Sequence, residues 1–218
     1  MGLSSMLRRD AGVVWGEIFR HPFVAEVFRG SLPLSKFRFY VVQDYNYLVA
    51  MMRCYSLVAA RADPEVSAEA LRIAYADATV EMDAYRALLG ELGLRVEDVV
   101  GVEPAPTNLS YTSYLLATCS LGTPLECLVA TLPCFWTYLE IAERWEGELS
   151  RNPVPIYRRW GETYLSREYR DLVTKLRNLV DRLWDGRDYW RYLKHFTRAS
   201  RYEYMFWDMA YRMEGWPP

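Results

Sequence analysis

The stretch CLVATLPCFWTYLEIA, from Cys127 to Ala142, is apolar almost throughout. Its length favours a buried helix over a strand, because strands in globular proteins are usually shorter than ten residues. Outward from it, apolar residues recur at three- and four-residue spacing, and the alternation typical of strands is nearly absent. The sequence therefore predicts an all-α fold, with residues 1–218 forming a single domain and the helices packed as a bundle.

Helix boundaries are marked by residues that start or stop helices. Gly30, Gly93 and Gly122 stand where helices should end, and Asp63 followed by Pro64 is a cap with proline at the first helical position. We expect helices over 4–20, 23–29, 35–62, 64–92, 108–121, 124–145, 153–165, 167–184 and 187–213.

Composition limits the partners. The 218 residues are 51% hydrophobic and 25% charged, and the net charge is −2. A chain so nearly neutral, with its arginines interleaved with acids, has no basic face for nucleic acid or anionic lipid. No apolar segment resembles a signal peptide or reaches the ~20 residues of a membrane span. We expect a soluble cytoplasmic protein that binds neither nucleic acid nor membranes.

The four cysteines are too few for a disulfide scaffold, so in a reducing compartment we expect free thiols. Cys54, Cys119 and Cys127 are expected to be inert core residues. Cys134 is harder to interpret, because Pro133 should kink or restart its helix. A restart would place the thiol near a helix N-terminus, which favours the thiolate. Otherwise Cys134 is also a core filler.

Two acids occupy core positions. In the helix expected over 35–62, the face formed by positions 37, 41, 44, 48, 51, 55 and 58 reads Phe, Val, Asp, Leu, Met, Tyr and Val. In the last helix, Glu203 lies in an aromatic face in the same way. Two explanations remain open. Asp44 and Glu203 either form buried salt bridges with some of the 23 arginines, or they share a polar pocket inside the bundle.

Haem or di-iron chemistry was weighed as a second enzyme class on such a bundle. Only His21 and His195 are available, and neither has a Glu three residues before it, as di-iron sites require. His21 precedes a proline at a helix boundary, and His195 stands alone, so an axial haem ligand is also lacking. We therefore expect no metal and no cofactor.

Several segments together resemble the TenA family, the thiaminase II type of aminopyrimidine hydrolases. They are HPFVAEVFRGSLPLSKFRFYVVQDYNYL, NLSYTSYLLATCSLG, LPCFWTYLEIAERW, YRRWGETYLSREYRDLV and RYEYMFWDMAYRMEGW. The resemblance implies the haem-oxygenase-like helical fold and a homotetramer. It also implies a hydrolase of thiamin salvage that releases 4-amino-5-hydroxymethyl-2-methylpyrimidine from the aminomethyl analogue, with ammonia, or from thiamin.

The same resemblance implies roles for eight residues. Cys134 is similar to the family's nucleophile, Glu203 to its proton donor, and Tyr47 to the residue that makes the thiol more nucleophilic. Five further residues match positions that bind the pyrimidine, namely Asp44, Tyr138, Tyr111, Tyr164 and Phe206.

The implied chemistry needs the two acids in different charge states. Asp44 would be ionised against the ring edge, while Glu203 would be protonated and able to donate to the leaving amine. The alternative outside catalysis is a regulatory or binding protein on the same fold, since helical bundles of this kind carry many functions.

Overall fold

The computed structural model describes residues 1–218 and is built from helices alone. Fourteen helical segments follow one another along the chain: α1 (Leu3–Asp10), α2 (Gly12–Arg20), α3 (Pro22–Arg29), α4 (Leu34–Ala59), α5 (Pro64–Ala76), a π-helical turn (Asp77–Glu81), α6 (Met82–Glu91), a 3₁₀ turn (Val96–Asp98), α7 (Pro106–Leu121), α8 (Pro124–Arg144), α9 (Glu146–Leu149), α10 (Pro155–Thr163), α11 (Arg167–Leu183) and α12 (Tyr189–Arg212). The predicted all-α class is confirmed.

Helix ends follow the local sequence. The Asp63 side chain accepts from the backbone N–H groups of Glu65 and Val66, so it caps α5. Thr123 and Glu126 form a reciprocal capping box at the start of α8. Gly30 ends α3 with φ of 78°, a left-handed conformation that costs glycine little.

Two predicted helices are interrupted. The range 4–20 divides at Ala11, and 64–92 contains the π-helical turn Asp77–Glu81. A π turn inserts one extra residue into the helical repeat, and it therefore changes which side chains face the core on either side of it. Hydrophobic spacing alone does not reveal such an insertion.

Helix α8 lies at the centre of the bundle and packs against α4, α7, α11 and α12. By length and composition it could cross a membrane, so the expectation that no segment reaches that length is wrong. However, 89% of the apolar stretch of this helix is buried inside the fold. Its position in the core therefore accounts for its apolar character.

The expectation of four free thiols is also wrong. Cys119, near the end of α7, and Cys127, in the first turns of α8, form a disulfide, with their Cα atoms 4.6 Å apart. The short connection around Gly122 and Thr123 turns α8 back on α7 and brings the two cysteines together. Cys54 and Cys134 remain free.

Candidate active site

A cavity of about 310 Å³ opens among α4, the π turn, α6, α8 and α10. Fourteen of its 20 lining residues are hydrophobic. Such a mainly apolar wall with a few polar groups is typical of a small-molecule site. Five of the eight predicted site residues line it, namely Asp44, Tyr47, Cys134, Tyr138 and Tyr164.

The other three predicted residues, Tyr111, Glu203 and Phe206, lie behind Tyr47 and outside the cavity wall. The Tyr111 hydroxyl donates to Glu203 Oε1 at 2.6 Å, and the Tyr47 hydroxyl donates to the Tyr111 hydroxyl at 3.5 Å. The Phe206 ring contacts the Tyr47 ring, with centroids 5.6 Å apart. Phe206 thus supports Tyr47 from behind.

The two acids predicted from the sequence have no basic partner. Neither Asp44 nor Glu203 forms an ion pair, so the salt-bridge explanation is wrong for both. The chain does pair a buried acid with arginine elsewhere, since Arg191 holds both carboxylate oxygens of Glu126, at 2.6 and 2.8 Å. Burial without a counter-ion is costly, and it sets the two cavity acids apart from an acid of the structural core.

Burial raises the pKa of Asp44 to about 7, and the negative charges of Glu81 and Glu203 add to the effect. Burial also raises the pKa of Glu203 to about 7, although hydrogen bonds from Tyr111 and Tyr47 act in the opposite direction. The expected separation of charge states is therefore not present in the ligand-free protein. Both acids can exchange a proton near neutral pH.

Cys134 does not lie at a helix start. Helix α8 runs without a break from Pro124 to Arg144 and contains Pro133, so the expected restart is wrong and no N-terminal dipole favours the thiolate. Burial raises the pKa of the Cys134 thiol well above its usual value, and the charge of Glu203 raises it further. A hydrogen bond with Tyr47 lowers it. In the resting protein Cys134 is a thiol, and Tyr47 is the group that favours its ionisation.

Aromatic rings form one side of the cavity. Tyr138 and Tyr164 lie with their centroids 4.8 Å apart, and Trp160 is 5.2 Å from Tyr164. The hydroxyls of Tyr138 and Tyr40 are hydrogen-bonded at 3.0 Å, which fixes the Tyr138 ring. Flat rings held in place in this way can stack on a heteroaromatic ligand.

Both histidines serve other purposes. His21 Nδ1 accepts from the Phe23 backbone N–H and caps α3. His195 bonds to the Tyr114 hydroxyl at 2.8 Å and to Glu126 at 3.2 Å. Neither histidine lines the cavity.

Sequence reasoning missed two acids of the cavity wall, Asp77 and Glu81, both on the π turn. The signal that identified Asp44 was present here as well. The buried face of α5 runs through Val66, Ala70 and Ile73, and the next position at the same spacing is Asp77.

A half-buried thiol, a hydroxyl that lowers its pKa, an acid able to exchange a proton and a set of stacking rings meet at one cavity. This combination defines a class of helical-bundle proteins with a site for small flat rings. The backbone has the haem-oxygenase-like fold, because it matches a domain described as having that fold from Shewanella denitrificans. The TM-score is 0.79 at 14% identity, over 96% of this chain and 92% of that one.

The chain belongs to the TENA/THI-4/PQQC family, whose model matches residues 9–213. It is 34% identical to the aminopyrimidine aminohydrolase of Halalkalibacterium halodurans over 99% of this chain and 98% of that protein. A solved structure of a TenA homologue from P. horikoshii is 43% identical, with a TM-score of 0.95 over 97% of this chain and 99% of that one.

Proposed function

We propose that this protein is an aminopyrimidine aminohydrolase of thiamin salvage. It releases 4-amino-5-hydroxymethyl-2-methylpyrimidine from 4-amino-5-aminomethyl-2-methylpyrimidine, with ammonia, and also accepts thiamin. The observation that supports this most directly is the meeting of Cys134, Tyr47 and Glu203 beside a ring-lined cavity. Relatives that carry this activity by name match almost the full chain at about a third identity.

In the proposed complex the pyrimidine lies against Tyr138 and Tyr164, with its amino group and ring nitrogen at Asp44. A protonated or amidine-like ring edge keeps Asp44 ionised, because an opposite charge in contact lowers a carboxyl pKa. The substrate thereby keeps Asp44 ionised, while Glu203 remains free to accept a proton and to return it.

Cys134 Sγ then forms a bond to a ring carbon. Its proton passes to the Glu203 carboxylate by way of the Tyr47 hydroxyl, and the ring electrons move to nitrogen. Because the ring has lost its aromaticity, its electron pair can expel the amine from the exocyclic methylene. Glu203 returns the proton to that amine, which leaves as ammonia.

Water completes the reaction. Its oxygen bonds to the electrophilic methylene, its proton goes to Glu203, and the sulfur departs with the bonding pair and takes that proton back. The net change is amine plus water giving alcohol plus ammonia, and every group of the protein returns to its starting state.

The test is to incubate the protein with the aminomethylpyrimidine and with thiamin, and to measure release of ammonia and of thiazole. We expect Cys134→Ala to reduce both to the level of a blank, and Glu203→Gln to lower kcat by about a hundredfold or more. Cys54→Ala removes the other free thiol and should keep full activity. Full hydrolysis by Cys134→Ala would contradict the mechanism and favour a binding or regulatory protein.

We also propose that the protein works in the cytoplasm as a homotetramer. Large apolar side chains are exposed on several helices, among them Leu71, Tyr75 and Trp190, which are 57%, 71% and 76% exposed. Such side chains are common where subunits meet. Light scattering on the purified protein should give four times the 25.6 kDa chain mass.

A further inference from the structure

The π-helical turn adds two carboxyl groups to the cavity that the proposed reaction does not use. Asp77 is only 6% exposed, lines the cavity, and its Oδ2 is buried without a hydrogen-bond partner. Glu81 lies one turn further along, also on the cavity wall. A buried carboxylate oxygen without a partner in the ligand-free protein is rare, because no hydrogen bond compensates for the loss of its hydration.

No basic side chain compensates this pair. Neither Asp77 nor Glu81 takes part in an ion pair, and Arg159, which lines the same cavity, is held by Glu91. Burial raises the pKa of Asp77 to about 8, with a further contribution from the charge of Glu81, and burial raises the pKa of Glu81. The pair thus has no positive charge beside it, and a cationic ligand that provides this charge would bind favourably.

The pair lies close to the reacting groups. The charge of Asp77 acts on the Cys134 thiol, and the charge of Glu81 acts on Asp44. A ring held between Asp44 and Cys134 therefore shares one cavity with Asp77 and Glu81. Leu48, Met51 and Leu88 line the same cavity and offer apolar surface for a second ring.

We propose that Asp77 and Glu81 form a cation-binding subsite for the leaving half of the substrate, and that it favours a leaving group that is a quaternary nitrogen heterocycle. The inference rests on the proposed function and extends it from the pyrimidine to the group that is expelled. A metal ion is a poorer occupant, because no three His, Cys, Asp or Glu side chains are placed to hold one.

The quaternary nitrogen of thiamin belongs to this class of leaving group, whereas the hydroxymethylpyrimidine product carries the same ring without a cation. The experiment compares wild type with Asp77→Asn, Glu81→Gln and the double variant. It measures kcat and KM for thiamin and for the aminomethylpyrimidine, the inhibition constant of thiamin, and the Kd of the hydroxymethylpyrimidine. Asp83→Asn is the matched control, since Asp83 is exposed on α6 and pairs with Arg86.

We expect the double variant to bind thiamin at least about tenfold more weakly, the usual effect of losing a charged contact, with kcat changed far less. Affinity for the neutral product should remain within about twofold, because the product carries no cation for the two carboxyl groups to bind. The melting temperature should not fall, since each amide replaces an uncompensated buried acid. Glu81→Gln, at the less buried position, provides the same comparison if the double variant does not fold.

An equal loss for thiamin and for the neutral product would overturn the inference, as would unchanged thiamin affinity in all three variants. Wild type that cleaves the aminomethylpyrimidine but does not bind thiamin would overturn the inference and leave the proposed function standing. Wild type that cleaves neither compound would overturn the proposed function itself, before any variant is compared.

Discussion

At the scale of the residue, the unusual feature of this site is that the surroundings of Cys134, the proposed nucleophile, oppose its ionisation. Burial and the charge of Glu203 both raise the pKa of Cys134, and only the hydrogen bond with Tyr47 lowers it. A thiolate is the reactive form of cysteine. Reactivity therefore depends on Tyr47 and on Glu203 being ready to take the proton, a dependence that can be measured without substrate.

We predict that Tyr47→Phe slows alkylation of Cys134 at pH 8 by about tenfold, because the hydrogen bond that favours the thiolate is lost while the ring remains. The rate is measured with iodoacetamide, by mass spectrometry of the peptide that contains Cys134. Hydrolysis should slow as well, while the product still binds.

Tyr85→Phe is the matched control for Tyr47→Phe. Tyr85 also lines the cavity, but its hydroxyl donates to the Val41 carbonyl at 2.8 Å. Alkylation in Tyr85→Phe should proceed at the wild-type rate. Equal rates in Tyr47→Phe and wild type would show that the Tyr47 hydroxyl does not act on the thiol.

At the scale of the element, the disulfide between Cys119 and Cys127 joins α7 to α8, which pack on one another. The two cysteines are eight residues apart in the sequence, so the disulfide closes a short loop. Closing such a loop removes conformations from the unfolded chain and stabilises the fold by about 2 to 3 kcal/mol. We predict that Cys119→Ser/Cys127→Ser lowers the free energy of unfolding by this amount, measured by urea denaturation. Hydrolysis should continue, since neither cysteine lines the cavity.

Reductant provides the internal control. Wild type in dithiothreitol should unfold at the same urea concentration as the double variant, and the double variant should not respond to dithiothreitol. If wild type and variant unfold together with and without reductant, the disulfide does not stabilise the protein.

The elements also show which features the sequence could predict. The long helices follow from hydrophobic spacing, and Asp44 and Glu203 follow from acids that break that spacing. The π turn could not be predicted, because one inserted residue leaves the composition of the helix unchanged. The disulfide was missed for a different reason. Its pairing depends on the turn between α7 and α8, and the number of cysteines in the sequence carries no information about that geometry.

The candidate site divides in the same way. Acids on core faces, a thiol beside a proline and the family resemblance together identify five residues of the cavity wall. They do not identify which residues lie behind the wall. Tyr47 donates to Tyr111 and Tyr111 donates to Glu203, and no spacing rule contains this chain of hydrogen bonds. How deep a side chain lies depends on how the helices pack on one another, and spacing along one helix does not contain that information.

At the scale of the whole molecule, the buried acids link stability to pH. The folded-state pKa values of Asp44 and Glu203 are raised to about 7 and that of Asp77 to about 8, in each case first by burial. At a pH between the unfolded-state and the folded-state pKa of such an acid, the native protein holds a proton that the unfolded chain has released. The contribution of these groups to the free energy of unfolding is therefore fully present at low pH, and it is lost as pH rises up to and through their folded-state pKa values.

His21 acts in the opposite direction, since burial lowers its pKa to about 4 and the unfolded chain binds its proton more tightly. That effect operates below the ordinary histidine value of 6.5, so it does not interfere at higher pH. Near pH 8.5 the two free thiols act in the same direction as the carboxyl groups, because burial raises the pKa of Cys54 to about 12 and that of Cys134 well above its usual value. The difference between wild type and Asp77→Asn from pH 7 to 8.5 therefore isolates the carboxyl contribution.

We predict that the free energy of unfolding falls as pH rises from 7 to 8.5, mainly through Asp77, whose folded-state pKa of about 8 lies inside the interval. The contribution of Asp77 is steepest near pH 7, at no more than about 1.4 kcal/mol per pH unit, and it fades as pH rises past 8. Urea denaturation at pH 7, 7.75 and 8.5 measures it. Asp77→Asn should reduce the slope, because an amide has no proton to lose, and the exposed control Asp83→Asn should keep it. A stability that rises or stays constant over this interval would contradict the prediction, because it would mean that Asp77 is already ionised in the native protein at pH 7.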